Sequence, residues 1–203
     1  QEDYWKDYLM GFDTSKKLPV KRKADKQITG IAARKSEIPK HTAANLAEFA
    51  GKNKLTLAAL LYSVYGILLL KYCNSPDVLF GITTAGRSAN IKGIEDIVGL
   101  FINTLPLRVR TGPGENITQL LHRVNEAVQQ VERYDTTPLV DVKKYSQISG
   151  SDELFDTIVV IENYPLDNLL AAAGSEPFVI DSFSIFEMPN YDLTIAIMLS
   201  EGI

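Results

Sequence analysis

The two histidines, His41 and His122, are the side chains best suited to proton transfer near neutral pH, but neither belongs to a catalytic pattern. A metal site needs three or four convergent ligands, and no cluster of His, Cys or carboxylate residues in the sequence has the required spacing. The glycine-rich phosphate loop and the Gly-x-Ser-x-Gly nucleophile turn are also missing. The sequence therefore predicts no catalytic residue and no metal site, and both histidines are expected to be structural or exposed.

Asn103 and Thr104 stand where an extended apolar stretch begins, which is an unusual position for two polar residues. Residues 105–110 then alternate between apolar and polar, with Arg108 on the polar side. This period of two predicts a half-buried strand. From spacing alone, a turn satisfied by local hydrogen bonds is the simplest interpretation of the Asn-Thr pair.

Strands and helices alternate along the chain, and their periods of 2 and 3.6 residues locate them. Helices are predicted over 2–10, 40–51, 57–72, 117–134 and 138–145, with Thr56 as the cap of the third, and strands over 27–38, 78–84, 103–110, 155–162, 177–187 and 191–200. A polar connector covers 13–26, and a loop covers 85–96. This alternation predicts an α/β fold, a two-layer sandwich in which helices back a mixed β-sheet.

Composition and charge narrow the classes of partner. The net charge of −4 and the pI near 5.3 argue against nucleic acid binding, and the basic residues within 16–26 fit a solvated connector.

A single cysteine, Cys73, excludes an intramolecular disulfide and suits the reducing cytoplasm, where we expect the protein. No signal peptide is visible, and the apolar run 55–72 is too interrupted for a membrane span, so it predicts a buried core helix. The last predicted strand runs directly into Ile203, and the chain is expected to be excised from something longer.

Several stretches resemble the condensation domains of nonribosomal peptide synthetases. VGLFINTLPLRVR (98–110) is similar to the fifth signature motif of that family, and DVLFGITTAGR (77–87) with GIEDIVG (93–99) is typical of the strand and loop before it. YDTTPLVDV (134–142) resembles the sixth motif, with Tyr134 in place of the usual His or Asn. LFDTIVVIENYP (154–165) stands where the seventh motif belongs but lacks its Arg-Asp and Arg-Asn pairs. The resemblance extends over the whole chain, since Tyr4-Trp5 and Tyr191-Asp192-Leu193 also occur in order.

The resemblance implies a domain of two chloramphenicol acetyltransferase-like lobes, of which residues 1–203 would be the C-terminal one. The family's His-His-x-x-x-Asp-Gly motif belongs to the N-terminal lobe and is missing here, so the chain alone is expected to be inactive. The parent domain of a bacterial antibiotic synthetase would join a donor thioester to an acceptor amine, both carried on phosphopantetheine arms. The implied partners are the N-terminal lobe, peptidyl carrier proteins and an adjacent adenylation domain, with no cofactor bound by this lobe.

The resemblance also gives site residues in the wall of a substrate tunnel. Asn103, with Thr104 beside it, is the first candidate anchor, because an amide both donates and accepts hydrogen bonds. Arg87 would either steer a phosphate or pin its own loop, with a solvated or ion-paired arginine as the simpler alternative. Asp192 would either be a hydrogen-bond partner of the other lobe or cap a turn.

The segment 163–190 is a candidate for the part of the chain that reaches across to the other lobe. If so, the isolated chain would expose an apolar patch there or bury it by self-association. Two alternatives to a condensation lobe remain. One is an epimerization or ester-forming domain of the same superfamily, and the other is a noncatalytic binding or scaffold domain.

Overall fold

The computed structural model describes residues 1–12, 18–19, 32–87, 92–146, 148, 153–162 and 190–199. Five α-helices lie in this part of the chain: α1 (Glu2–Leu9), α2 (Lys40–Lys52), α3 (Leu57–Tyr72), α4 (Ile117–Glu132) and α5 (Leu139–Tyr145). Four strands accompany them: β1 (Asp77–Thr84), β2 (Asn103–Arg110), β3 (Thr157–Glu162) and β4 (Leu193–Met198). A short 3-10 helix, Ile94–Asp96, lies between β1 and β2.

The strands form one mixed sheet in the order β2-β1-β3-β4. β1 and β2 are antiparallel, with Asp77 opposite Arg110 and Thr84 opposite Asn103. β3 runs parallel to both β1 and β4. The parallel pairs require crossover connections, and the antiparallel pair is joined through the loop that contains the 3-10 helix. The predicted mixed sheet backed by helices is confirmed.

Helix α3 packs closely on the sheet because it carries a glycine at the contact. A Cβ atom on Gly66 would lie 2.7 Å from Cγ2 of Val109 on β2, so a larger side chain would push the helix away. Next to this contact, the rings of Tyr65 and Phe80 pack in a T-shaped arrangement at a centroid distance of 4.9 Å. The predicted buried core helix holds for the sheet-facing side of α3, whereas Val64, for example, is 56% exposed on the other side.

Helix α1 covers the outer edge of β2. The hydroxyl of Tyr8 accepts a hydrogen bond from the backbone N–H of Arg108 at 2.7 Å, and Trp5 is fully buried behind it. An edge strand with unpaired N–H groups is a template for aggregation, and a covering helix removes that hazard. β2 is therefore buried along most of its length, and the prediction of a half-buried strand is wrong, because Arg108 on its polar side is also buried.

Other element predictions have mixed outcomes. The strand expected over 27–38 is wrong for its described part, because 32–39 is an exposed, irregular stretch that no strand pairs with. Period-two alternation is not sufficient there, since a strand is stable only when a neighbour takes up its backbone hydrogen bonds. The predicted strand 177–187, and all of 163–190 except Asn190, lie outside the described residues. No single helix in the described ranges is long and apolar enough to cross a membrane, and α2 with α3 would meet that test only as a pair bent by 105°.

Candidate functional site

Asn103 uses its amide to hold a distant segment against the start of β2. Its Nδ2 donates to the backbone carbonyls of Asp135 at 2.9 Å and Thr137 at 2.7 Å, and its Oδ1 accepts from the N–H of Thr104 at 2.9 Å. Both amide protons are therefore committed to main-chain acceptors. In this arrangement Asn103 fastens the segment after α4 to the sheet.

Thr104 faces a different segment, the one that leads into β4. Its side chain lies close to the phenol of Tyr191, whose ring stacks on Phe155 at a centroid distance of 5.6 Å. Burial raises the pKa of Tyr191, and the contact with Thr104 partly offsets that rise. The Asn-Thr pair thus joins β2 to two segments that are far from it in sequence.

Arg87 pins the loop that precedes β2. Its guanidinium donates to the carbonyl of Ile94 and, at 3.0 Å, to that of Ile97, and it lies 4.3 Å from the ring centroid of Phe101. Gly86 permits the approach, because it has a φ of +64° and any Cβ there would collide with the carbonyl oxygen of Phe101. Two roles were considered for Arg87, to steer a phosphate or to hold its own loop in place. The contacts with Ile94, Ile97 and Phe101 are those that the second role requires.

Asp192 lies at the turn into β4, where its backbone N–H donates to the carbonyl of Asp156 at 2.9 Å. It directly follows Tyr191, the residue in contact with Thr104. Asn103 and Thr104 thus lie together at the start of β2, Asp192 lies just before β4 at the other edge of the sheet, and Arg87 lies on the loop that enters β2.

The sixth-motif region and the N-terminal helix also meet. Tyr134 stacks on Tyr4 at a centroid distance of 4.0 Å and an interplanar angle of 14°. One turn on, the hydroxyl of Thr137 donates to the side-chain oxygen of Gln1 at 3.1 Å. Tyr134 thus packs against α1 through a ring stack. This contact does not require the His or Asn that is usual at this position of the sixth motif.

Arg108 is the site residue that sequence reasoning missed. Its guanidinium donates to the carboxylate of Asp77, with Nε 2.9 Å from Oδ1, and to the carbonyls of Tyr8 at 2.8 Å and Met10 at 3.0 Å. Its side chain is only 4% exposed. Two of these acceptors are orphan carbonyls at the C-terminal end of α1, where a cation is favourable. The signal available in the sequence was the charge pair itself, since Asp77 and Arg108 share one face of an antiparallel pair, two positions out of register.

Two buried phenols of the described residues, Tyr8 and Tyr62, stay neutral at neutral pH. Burial raises the pKa of Tyr8 to about 12, against the opposing effect of the hydrogen bond with Arg108, and burial raises the pKa of Tyr62 to about 12. Phenols of this kind stay neutral and do not act as bases at neutral pH. His41 and His122 are exposed, as expected. Within the described ranges, no group of three or more His, Cys, Asp or Glu residues is placed to hold a metal ion.

The sequence model of the Condensation domain family matches residues 1–203. The chain belongs to the condensation domain family. Tyrocidine synthase 2 of Brevibacillus parabrevis is 35% identical over 202 residues, which cover 98% of this chain and 6% of that protein. Surfactin synthase subunit 3 of Bacillus subtilis (strain 168) is 36% identical over 202 residues, which cover 98% of this chain and 15% of that protein. The chain thus spans a small part of the length of these relatives.

Solved structures agree on the fold. The first condensation domain of the calcium-dependent antibiotic synthetase, in complex with a substrate analogue, has a TM-score of 0.63 at 18% identity, over 80% of this chain and 36% of that chain. The X-domain from teicoplanin biosynthesis has a TM-score of 0.62 at 20% identity, with the same two coverages. The chloramphenicol acetyltransferase-like fold expected from the sequence is confirmed.

The contacts described above join stretches that resemble motifs of the condensation domain family. The stretches that resemble family motifs, around Tyr4, Asn103, Tyr134 and Tyr191, touch one another directly. Asn103 bonds to the sixth-motif stretch, Thr104 contacts the residue before Asp192, and Tyr134 stacks on α1. In this chain the motif residues bond to and pack against one another, and Arg108 is a further side chain that does the same.

Proposed function

We propose that this chain is the C-terminal lobe of a condensation domain that forms an amide bond within a nonribosomal peptide synthetase, and that the lobe alone is inactive. The observation that carries the proposal is the use of Asn103. Both of its amide protons are bound to main-chain carbonyls, as expected for a residue that shapes a wall rather than one that moves a proton. The relatives named synthases for tyrocidine and surfactin support the pathway class.

The reaction sets what a lobe of this kind must supply. The acceptor amine attacks the carbonyl carbon of the donor thioester, the C–N bond forms, the C–S bond breaks, and the amine's proton leaves as the thiol is released. Holding both reactants in attack geometry gives effective molarities of roughly 10⁵–10⁸ M in well-oriented systems. We infer that the contacts of Asn103 and Arg108 hold β2 in place and so help the lobe to maintain that geometry. We place the proton-accepting histidine on the N-terminal lobe, because the family's His-His-x-x-x-Asp-Gly motif is missing from this chain.

The partners follow from this role. Donor and acceptor would arrive on phosphopantetheine arms of peptidyl carrier proteins, so the lobe itself holds no cofactor. An N-terminal lobe would close the tunnel from the opposite side, and an adenylation domain would load the acceptor carrier. We assign the protein to the cytoplasm of a bacterium, since a chain with one cysteine needs no oxidising compartment.

The test compares the 203-residue chain with the complete condensation domain from the same reading frame. Each is mixed with a donor-loaded and an acceptor-loaded carrier protein, and the amide product on the acceptor arm is measured by mass spectrometry. We expect amide from the complete domain and none above the enzyme-free background from the chain. Amide from the chain alone would contradict its assignment as a noncatalytic lobe, and a complete domain that only inverts the donor's stereocentre would identify an epimerization domain.

A further inference from the structure

A cavity of about 240 Å³, here termed the α3–α4 cavity, lies between the C-terminal half of α3 and the turn that leads from β2 into α4. Most of its wall is aliphatic, with two side chains from each helix: Ile67, Leu70, Ile117 and Leu120. The other lining residues are Lys71, Thr111, Glu115 and Asn116. None of the four candidate site residues lines the cavity, and the span from Asn103 to Thr111 corresponds to roughly 26 Å of extended chain.

The aliphatic wall extends from a buried floor to an exposed rim. Leu70 and Leu120 are buried, whereas Ile117 is 56% exposed at the first position of α4. The first turn of a helix favours acidic side chains, and α4 has none there. No aromatic ring is among the residues that line the cavity, so the wall suits an alkyl chain better than a planar ring.

Lys71 places a positive charge at the rim. It is exposed, and it forms no ion pair within the part of the chain that the structure describes. The carboxylate of Glu115 is already occupied, because it accepts from Arg123 at 2.6 Å and from a main-chain N–H at 3.0 Å. The N-terminus of α4 has its own cap, the reciprocal pair of Asn116 and Gln119. Of the described lining residues, Lys71 is therefore the one whose charge is available to a ligand.

We propose that the α3–α4 cavity binds a small aliphatic carboxylate, with its alkyl chain against the four aliphatic side chains and its carboxylate beside the ammonium of Lys71. A cavity of this volume is below the roughly 300–1,000 Å³ of sites for drug-sized ligands, so the ligand is expected to be smaller. A stable protein partner would need about 800 Å² on each side, far more than one such cavity presents.

The two parts of the site have different roles. Burial of one methylene group lowers a dissociation constant by about four-fold, whereas an exposed ion pair lowers it by about five-fold at most. The alkyl chain therefore sets the affinity, and the lysine selects an acid over the corresponding alcohol. This site does not depend on the proposed amide-forming role.

The experiment titrates the isotope-labelled chain at neutral pH with butanoate, hexanoate and octanoate, and follows the backbone amide shifts by nuclear magnetic resonance. We expect saturable shifts concentrated at residues 67–71 and 111–120. The dissociation constant should fall with chain length, by about 15-fold from hexanoate to octanoate, because two more methylene groups are buried.

Three variants separate charge from shape. Lys71→Met removes the charge and keeps an apolar stem, so the Kd for octanoate should rise by about two- to five-fold while that for octanol stays unchanged. Lys40→Met, at the exposed start of α2, is the matched control and should alter neither Kd. Ile117→Glu puts a carboxylate at the rim and should weaken octanoate binding more than Lys71→Met does. The first turn of a helix accepts an acid, so this variant is expected to fold.

Three results would each overturn the proposal: shifts that lie mainly outside the cavity, a Kd that does not change with chain length, and octanoate binding that Lys71→Met leaves unaltered. The amide spectrum of each variant without ligand shows that its fold is retained. Amide formation is measured on the complete domain, as described above. Failure of this site is therefore distinguishable from failure of the proposed function.

Discussion

At its first residue β2 is joined to the segment after α4 by a neutral amide, whereas five positions later it is joined to α1 by a buried charge. Asn103 is half-buried and bonds to carbonyls that carry no formal charge. Arg108 is almost fully buried and bonds both to a carboxylate and to the end of a helix. Both side chains fasten a segment of the chain to the edge strand. The loss of stability expected when the side chain is removed differs between them.

The difference between the two ends indicates where the chain tolerates substitution. A neutral hydrogen bond contributes about 0.5–1.5 kcal/mol net, while a buried charge that loses its partner is far more destabilising. The charged end of β2, at Arg108, is therefore expected to determine the stability of the chain. The neutral end, at Asn103, is expected to set the local position of the segment 135–137.

The largest effect is expected for Arg108→Ala. It leaves the carboxylate of Asp77 without its partner and removes two bonds to the end of α1, so the free energy of unfolding should fall by about 3–5 kcal/mol. Asp77 is 25% exposed, which places the expectation toward the lower end of that range. Urea denaturation followed by circular dichroism measures it. Arg110→Ala is the control on the same strand, and since Arg110 is exposed its effect should stay within about 0.5 kcal/mol. Equal effects of the two substitutions would remove the contrast between buried and exposed charge.

A smaller loss is expected at the other end of β2, from Asn103→Ala. Two main-chain carbonyls lose their donor, and an unsatisfied buried polar group costs about 1–3 kcal/mol. Asn103→Asp should be worse than Asn103→Ala, because its carboxylate would face the same two carbonyl oxygens with no proton to donate. Urea denaturation of the two variants provides the ranking. If Asn103→Ala were as stable as the parent chain, the tie to the segment 135–137 would have no energetic role.

Much of the secondary structure could be predicted from the sequence, because β1, β2, α3 and α4 have a clear period or cap. The capping box at Asn116 and Gln119, for example, is a local signal that fixes where α4 begins. The burial of β2 could not be predicted from its alternation, since it depends on α1 reaching the strand from 100 positions away.

The candidate site shows the same limit. The motif stretch around Asn103 was recognisable, but its hydrogen-bond acceptors lie 32 and 34 positions further along the chain. No local pattern indicates whether such an amide faces a substrate or a backbone. The prediction of a strand over 27–38 is wrong for the converse reason. The sequence alternates locally, but in the described part of this stretch, 32–38, no neighbouring strand pairs with the backbone. Pairing with another strand, which the local pattern does not report, decides whether β-structure forms.

The smallest effect is expected from Tyr8→Phe, and it is visible in the pH dependence of stability rather than at neutral pH alone. Burial raises the pKa of Tyr8 from 10.0 to about 12, so the folded chain keeps this phenol neutral in a pH range where the unfolded chain releases its proton. The stabilisation is complete below pH 10 and is lost as the pH rises toward 12, with a slope of at most about 1.4 kcal/mol per pH unit from this group. Comparison of unfolding free energies at pH 9, 10 and 11 should show a shallower decline for Tyr8→Phe than for the parent chain. Tyr72→Phe, on the exposed side of α3, is the matched control for loss of a phenol. Parallel declines for Tyr8→Phe and the parent chain would mean that α1 does not bury Tyr8 against β2, and the charged end of the strand would then lose its helical cover.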